Sequence, residues 1–194
     1  MIIMNFNSSL GSVSRVGRLF VVGNSALLDS ALSDSRFAVA GSRRGLSSES
    51  VAWLRARVDS LDPASHVLVS GLALGADSIA HRRALARGVP QIVVLPGGFD
   101  CVTPRSNLGL LQSILGSGGC AVSLHPPSFR PSASDFVARN RVIAGLAHML
   151  LVPGCASSSG TMHTVRFARA GGVHVLFCAS GAPHLVGVPG CSPL

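Results

Sequence analysis

The sequence predicts an α/β protein in which a mostly parallel sheet carries helices on both faces, a three-layer α/β/α arrangement. Three observations support this prediction. Short apolar segments that end in Gly or Ser alternate with longer segments of helical character. The apolar segments are continuous rather than alternating, which is typical of strands buried on both faces. Hydrophobic residues make up 47% of the 194-residue chain, which is enough for one domain with a full core.

The predicted core begins at residue 36 and alternates strands with helices. The predicted strands are 36–41, 66–71, 91–97, 120–124, 148–154 and 173–178. The predicted helices are 48–60, 75–88, 106–117, 134–147 and 160–171. Ligands of such sheets bind beyond the carboxyl ends of the strands, where this chain has turns rich in Gly, Ser and Arg. We therefore expect binding or chemistry at that end of the sheet.

The segments on either side of this core have a different character. Residues 1–35 form a predicted N-terminal extension, in which "RLFVVGN" adds an edge strand and "SALLDSAL" a short helix or turn. The core itself spans residues 36–180. The tail, residues 181–194, is rich in Gly and Pro and is predicted to be irregular.

The charge of the chain indicates an acidic partner. The net charge is +8, and all sixteen basic residues are Arg, against eight acidic residues. A GC-rich coding bias would explain Arg in place of Lys, but it would not explain the shortage of acids. No acidic residue follows Asp135. Nucleic acid is the commonest partner of a protein with this balance.

Cysteine usage and hydropathy point to the cytoplasm. The five cysteines form no C-x-x-C pair, so neither a disulfide framework nor a zinc site is expected, and small buried thiols are the simplest interpretation. No apolar run reaches the roughly 18 residues of a membrane helix, and the N-terminus has no signal-peptide pattern. We expect a cytoplasmic protein with no membrane partner, no metal and no cofactor.

Three Gly- and Ser-rich turns are candidate phosphate sites. "AGSRRG" (40–45) offers a hydroxyl and an Arg fork, although a simple strand-to-helix turn explains it as well. "SGLALGADSIAH" (70–81) is a turn that opens a helix, but it lacks the G-x-G-x-x-G spacing of dinucleotide-binding sites. Within it, Asp77 is expected to cap the helix. His81 is either a packed core residue or a functional one. "ASSSGTMHT" (156–164) offers N–H groups and hydroxyls, with N-capping by a Ser or Thr side chain as the alternative.

The segment "FVARNRVIAG" (136–145) raises a specific question. On a helical wheel Arg139 and Asn140 fall on the apolar face, and only Arg141 points to a side with few apolar neighbours. An unpaired charge on a buried face is costly, so these side chains need partners. The partner is either internal, in a chain with only eight acids, or a bound phosphate or base on which Phe136 stacks.

The order of these motifs resembles the DNA-processing protein A family (DprA, also called Smf). The blocks "GSR", "VSGLALGAD-SIAH", "VVLPGGFDCVTPRSN", "FVARNRVIAGL" and "SSSGT-MHT" follow one another, and the resemblance covers about residues 19–178. It implies a Rossmann-like core that binds single-stranded DNA and forms a homodimer. The resemblance also implies a role in natural transformation, where the family helps to load a RecA-type recombinase. It further implies that the protein binds DNA and is not an enzyme.

The resemblance also implies a pocket for nucleotide phosphates and bases. Residues of this chain match four motifs of the family: the G-S/T-R turn, the S-G after the second core strand, the F-x-x-R-N-R block and the S-G-x-x-x-T turn. We add Thr161, which lies within the last of these turns, to the candidate residues. No catalytic or metal-binding residue is expected. The candidate binding residues are Gly41, Ser42, Arg43, Ser70, Gly71, Phe136, Arg139, Asn140, Arg141, Ser159, Gly160, Thr161 and Thr164.

Several positions depart from the family pattern. Ser-Leu at 123–124 stands in place of Ser-Glu, and Val-Pro-Gly at 152–154 stands in place of Val-Glu-Ala. The Tyr of the Y-P-x-x-N motif is replaced by Val102 or Thr103. Neither an N-terminal helical domain nor a C-terminal winged helix is expected in this sequence. The family's dimer surfaces lie near the end of the core, where the match is weakest.

Two other functions stay open from the residues alone. A small-nucleotide sensor would use the same turns and the same fold. A LOG-type enzyme would cleave a base from a nucleotide monophosphate, but it needs a P-G-G-x-G-T-x-x-E block, and "PGGFDCVTP" departs after three residues. Glu49 is the only Glu and Asp100 the only acid nearby, so no carboxylate is well placed to stabilise a sugar cation.

Overall fold

The computed structural model of the protein describes residues 1–5, 18–29 and 35–194. Within these residues one mixed sheet forms the centre of the molecule. Its strands are β1 (Ile2–Asn5), β2 (Arg18–Gly23), β3 (Arg36–Val39), β4 (Val67–Ser70), β5 (Gln91–Leu95), β6 (Cys120–Ser123), β7 (Met149–Val152), β8 (His174–Phe177) and β9 (Cys191–Pro193).

The helices are those that the sequence predicts. They are α1 (Ser48–Asp59), α2 (Ala76–Ala86), α3 (Leu108–Gly116), α4 (Ala133–Leu146) and α5 (Thr161–Ala170). Each predicted core strand and helix begins and ends within two residues of its expected bounds. The segment predicted as a short helix or turn near residue 25 is a 3-10 turn at Ser25–Leu28. The end of that predicted segment, residues 30–32, lies outside the described residues.

The sheet is mostly parallel, which confirms the predicted fold class. Its strand order is β1-β2-β6-β5-β4-β3-β7-β8-β9. The seven strands from β3 to β9 run parallel to one another. The strand β2 is antiparallel to β6, and β1 is antiparallel to β2.

Both ends of the sheet extend further than the sequence predicts. The strand β2 was expected at the edge, but β1 pairs with its outer side. The tail was expected to be irregular, and this is wrong for Cys191–Pro193, because β9 pairs with β8. A strand of three residues is too short to show a recognisable hydrophobic pattern.

Two helical layers cover the sheet. The helices α4 and α5 pack on one face, where Val142 and Val165 join a cluster that contains Ile92. The helices α1, α2 and α3 cover the other face, where Val93 packs against the α3 side chains. The neighbours Ile92 and Val93 therefore point to opposite apolar layers, as expected of a strand buried on both faces.

The chain reverses its direction of winding at β3. From β3 it passes through α1, α2 and α3 to β4, β5 and β6 on one side, and then returns through α4 to β7 on the other side of β3. In such sheets the carboxyl ends of the two strands at the reversal, here β3 and β7, flank a crevice that binds ligands.

All five cysteines are free thiols. Cys120, Cys155 and Cys178 are buried, as the simplest interpretation of the sequence requires, whereas Cys101 and Cys191 are partly exposed. Among the helices in the described ranges, none is both long enough and apolar enough to cross a membrane.

Candidate functional site

A cleft of about 440 Å³ opens beyond the carboxyl ends of β3 and β7. The turn after β3, the start of α2, the helix α4 and the first turn of α5 contribute to its wall. Ten of the thirteen residues predicted from the sequence line this cleft. They are Gly41, Ser42, Arg43, Phe136, Arg139, Asn140, Ser159, Gly160, Thr161 and Thr164.

Three predicted residues lie off the cleft wall, each for a different reason. The Ser70 hydroxyl is fully buried and donates to the carbonyl of Val39 at 2.8 Å. Gly71 is buried against the guanidinium of Arg139. Arg141 is exposed, and its guanidinium lies 5.0 Å from the centre of the Phe167 ring.

Arg139 has an internal partner. Its side chain is only 5% exposed, and its Nη1 lies 3.6 Å from Oδ2 of Asp77, which is also buried. Burial lowers the pKa of Arg139 from its ordinary value; Asp77 opposes this shift, and the positive charge of Arg43 adds to it. The Nε of Arg139 has no hydrogen-bond partner among the described residues. The internal pair therefore satisfies part of this guanidinium and leaves its buried Nε without a partner.

The carboxylate of Asp77 organises the connection between β4 and α2. Its Oδ2 accepts hydrogen bonds from the backbone N–H groups of Gly71 and Ala73, each at 3.2 Å. Asp77 therefore braces the turn before the helix and neutralises Arg139 at the same time. The sequence predicts a helix cap at Asp77, and this is wrong, because the N-cap of α2 is Gly75 and no side chain caps the helix.

The turn after β4 depends on two further residues. A Cβ on Gly71 would lie 1.0 Å from Nη1 of Arg139, so only glycine leaves room for the guanidinium. The next residue, Leu72, has a φ of +60°, which is unusual for a residue with a side chain. The amide of Asn107, which is buried, donates to the Leu72 carbonyl at 2.8 Å. The P-x-x-N motif of the sequence therefore holds this turn in place.

The turn after β3 packs closely on α2. A Cβ on Gly41 would lie 2.7 Å from the Cβ of Ala76. The Ser42 N–H donates to the carbonyl of Gly154 at 2.8 Å, and the Ser42 carbonyl accepts from the N–H of Ala76 at 3.1 Å. The backbone groups of Ser42 are thus used within the fold. Side chains, rather than this backbone, are what the turn offers to a ligand.

Two exposed arginines follow Ser42 at the rim of the cleft. Arg43 lies over the ring of Phe136, with its Cζ 5.3 Å from the ring centre, and Arg44 lines the same cleft. A guanidinium stacked on an aromatic ring makes a flat platform that is suited to a nucleic-acid base. The sequence predicts Arg43 and Phe136 but misses Arg44, although it lies in the same turn.

The first turn of α5 faces the cleft, and the N–H groups of Met162 and His163 in it donate to the carbonyls of Ser159 and Gly160. Gly160 is the N-cap, and no side chain caps it, so the alternative of N-capping by Ser159 or Thr161 is wrong. The partial positive charge of a helix N-terminus attracts anions such as phosphate. The amide of Asn140 donates to the Gly160 carbonyl at 3.3 Å and links α4 to this turn.

The remaining sequence motifs have structural explanations. Gly97 and Gly98 pack against the loop at 125–131, where a Cβ on either would collide with proline atoms. His81 is a packed core residue whose Nδ1 lies 2.7 Å from the amide of Gln91, and burial lowers its pKa, so the ring is neutral. Neither of the acids weighed for a LOG-type reaction, at positions 49 and 100, lines the cleft.

The described wall of the cleft is cationic. It carries three arginines and one carboxylate, and that carboxylate, Asp77, is already paired with Arg139. Two of the arginines are exposed, so a negatively charged ligand can reach them from solvent. The arrangement is suited to binding phosphates beside a stacking platform.

The family model of DNA recombination-mediator protein A matches residues 12–194. The chain belongs to this family. Protein Smf of Escherichia coli is 35% identical to it over 181 residues, which cover 93% of this chain and 46% of that protein. DNA processing protein DprA of Streptococcus pneumoniae is 39% identical over 98 residues, covering 50% of this chain and 34% of that protein. The chain thus spans less than half the length of the Smf relative.

Solved DprA structures share the fold. The structure of DprA from Streptococcus pneumoniae superposes with a TM-score of 0.84 and 29% identity, covering 97% of this chain and 67% of that one. The structure of DprA from Helicobacter pylori was described for a unique single-stranded DNA binding mode. It superposes with a TM-score of 0.82 and 24% identity, covering 99% of this chain and 89% of that one. The Rossmann-like fold expected from the DprA resemblance is therefore confirmed.

Proposed function

We propose that this chain binds single-stranded DNA, without sequence preference, in DNA processing during natural transformation or recombination. The observation that carries the proposal is the cleft at the reversal of the sheet, where three arginines face a single carboxylate that is already paired. Membership of the DNA recombination-mediator protein A family supports the same function.

Each part of the cleft has a separate task in this proposal. Arg43 and Arg44 contact backbone phosphates, and the N-terminus of α5 accepts a further phosphate. A base stacks on the platform formed by Phe136 and Arg43. Arg139 adds positive charge at the floor of the cleft. The positions of these residues at the cleft wall support this assignment.

The proposal is binding without catalysis. A reaction on a nucleotide would need a nucleophile or an acid–base group beside the bound phosphate. On the described wall the only carboxylate is Asp77, and it is already engaged by Arg139 and by two backbone N–H groups. His163 also lines the wall, and no free carboxylate lies on that wall to activate its imidazole. This arrangement favours a binding role for the cleft.

The proposal includes protein partners and a location. We infer that a RecA-type recombinase acts on the bound strand, that two copies of the chain associate, and that the protein works in the cytoplasm. Family membership supports these points. Light scattering of the purified protein tests the dimer, and capture of purified recombinase by the protein bound to immobilised DNA tests the partner.

The DNA-binding test is fluorescence anisotropy with a labelled 30-nucleotide poly-dT strand. We expect Arg43→Ala to weaken binding about tenfold, the typical loss for one hydrogen bond to a charged group. Arg166→Ala is the matched control, because Arg166 is exposed on α5 and lies off the cleft wall. Equal effects of the two variants, or no binding by the wild type, would contradict the proposal. Full competition by a mononucleotide at matched nucleotide concentration would select a small-nucleotide sensor instead.

A further inference from the structure

Three soft donor atoms meet on the far side of the turn that opens α5. The Sγ of Cys155 lies 3.9 Å from the Sδ of Met162 and 3.7 Å from Nε2 of His184. These residues come from three places: the loop after β7, the first turn of α5 and the 3-10 turn at Pro183–Leu185. None of the three side chains belongs to the set predicted from the sequence, and the proposed DNA-binding function uses none of them.

The two separations measured from the Cys155 Sγ match the spacing of ligands around one metal ion. Thiolate and imidazole ligands lie about 2.3 Å and about 2.0 Å from a closed-shell metal ion, so at trigonal angles sulfur and nitrogen are about 3.7 Å apart. Two sulfur ligands in the same geometry are about 4.0 Å apart. The observed distances of 3.7 Å to His184 and 3.9 Å to Met162 agree with these values.

The cluster is shielded from water. Cys155 is 6% exposed, and Met162 and His184 are partly buried. A buried group of sulfur donors is suited to an ion that prefers sulfur ligands.

We propose that Cys155, Met162 and His184 form a three-coordinate site for a soft monovalent cation, Cu(I) or its analogue Ag(I). Thiolate and thioether sulfur select Cu(I), whereas a thioether is a poor ligand for harder ions. Binding forms one metal–thiolate bond and releases the Cys155 proton to the solvent, and no change of oxidation state is involved. The Cu(I) ion replaces the thiol proton, so the ion and the Cys155 thiolate together carry no net charge.

A zinc site does not fit these residues. Within the described part of the chain, no group of three or more His, Cys, Asp and Glu residues is arranged to hold a metal ion. Structural zinc requires four such ligands. Here Cys155 and His184 supply two, and the third donor is the thioether of Met162, so the site discriminates in favour of Cu(I).

The test is a titration of the whole chain with Cu(I) under anaerobic conditions, in competition with bicinchoninate. Cys101 and Cys191 are first replaced by Ser, because these partly exposed thiols would bind the ion independently. We expect one Cu(I) per chain. Met162→Leu, which conserves side-chain volume, should weaken binding at least about tenfold, since even the loss of a group that supports a ligand has an effect of this size.

Met149→Leu is the matched control, because Met149 is also partly buried but packs in a different apolar cluster. X-ray absorption should show two sulfur ligands and one nitrogen ligand in the wild-type background, and one sulfur fewer in Met162→Leu. Thermal unfolding without metal checks that each variant is folded. Absence of Cu(I) binding, equal affinities of the two Met variants, or a shell of sulfur alone would overturn the proposal.

Discussion

At the scale of single residues, the pair of Arg139 and Asp77 explains how a charged side chain is held inside an apolar helix face. A lone buried guanidinium would be very costly, and the carboxylate at 3.6 Å offsets that cost. The same carboxylate holds the backbone of the turn before α2. The stability of the fold and the position of a cleft donor therefore depend on one contact.

Removal of both partners of this pair should be less harmful than the two single removals added together. We expect Asp77→Asn to lower the free energy of unfolding by about 3 kcal/mol, because it leaves a buried charge unpaired. Arg139→Met should be comparably harmful for the same reason. The double variant should lose clearly less than the sum of the two, as measured by urea denaturation. Strictly additive losses would show that the two side chains do not interact.

Gly71 should tolerate no side chain. In Gly71→Ala the new Cβ would occupy the position of the Arg139 guanidinium, so we expect a loss of at least about 2 kcal/mol of stability. Gly145→Ala in α4 is the matched control, because its Cβ would meet nothing within 4 Å. That change should instead stabilise by about 0.5–1 kcal/mol, as expected for alanine in a helix interior. Wild-type stability of Gly71→Ala in thermal unfolding would refute this packing.

At the scale of elements, the start of α4 determines where Phe136 and Arg139 are presented. The Asp135 carboxylate accepts from the N–H and the hydroxyl of Ser132, at 2.8 Å and 2.7 Å, and lies 3.0 Å from Nε2 of His125. These contacts fix the first turn of the helix that carries the cleft residues. The hydrogen bonds from Ser132 lower the pKa of Asp135 below its ordinary value.

This lowered pKa predicts a specific dependence of stability on pH. Since the folded-state pKa of Asp135 lies below the unfolded value of about 3.9, its contribution is complete above that pH. It is lost as the pH falls through the folded-state pKa. The difference in unfolding free energy between the wild type and Asp135→Asn should be fully present at pH 5 and should shrink below pH 4. A difference that stays constant down to pH 3 would contradict this role.

The N-terminus of α5 offers a way to separate stability from binding. Gly160 is an exposed N-cap with open space around its Cβ position. Gly160→Asp should stabilise the helix by about a few tenths of a kcal/mol, because it places a carboxylate at the positive end of the helix dipole. The same carboxylate should repel phosphate and weaken binding to poly-dT. Unchanged DNA affinity in a variant of raised melting temperature would exclude this turn from the binding site.

At the scale of the whole molecule, the sequence predicts the central fold well and its margins poorly. Each apolar strand from β3 to β8 ends at a Gly or Ser or within three residues of one, and these residues mark the turns clearly. The edge strand β9 has only three residues, which is too few for a pattern to be recognised. The strand β1 at the other edge was not predicted either.

The limits of prediction are similar at the site. Residues in one turn or on one helix face, such as Arg43 and Asn140, could be identified from the motifs. The role of Asp77 as the partner of Arg139 could not, because the two lie far apart in the chain and only the return of α4 across the sheet brings them together. For the same reason the sequence predicts Gly71 as a ligand-binding residue, whereas in the structure the Arg139 guanidinium occupies the space beside its Cα.

The salt dependence of binding tests the central claim most directly. The affinity for labelled poly-dT would be measured at several salt concentrations for the wild type and for Arg43→Ala. If the cleft neutralises about three phosphates, the logarithm of the binding constant should fall with that of the salt concentration at a slope of about −2. The slope should become about 0.7 less steep when Arg43 is removed. A binding constant independent of salt, or the same slope in both proteins, would contradict the account of the cleft as a site for single-stranded DNA.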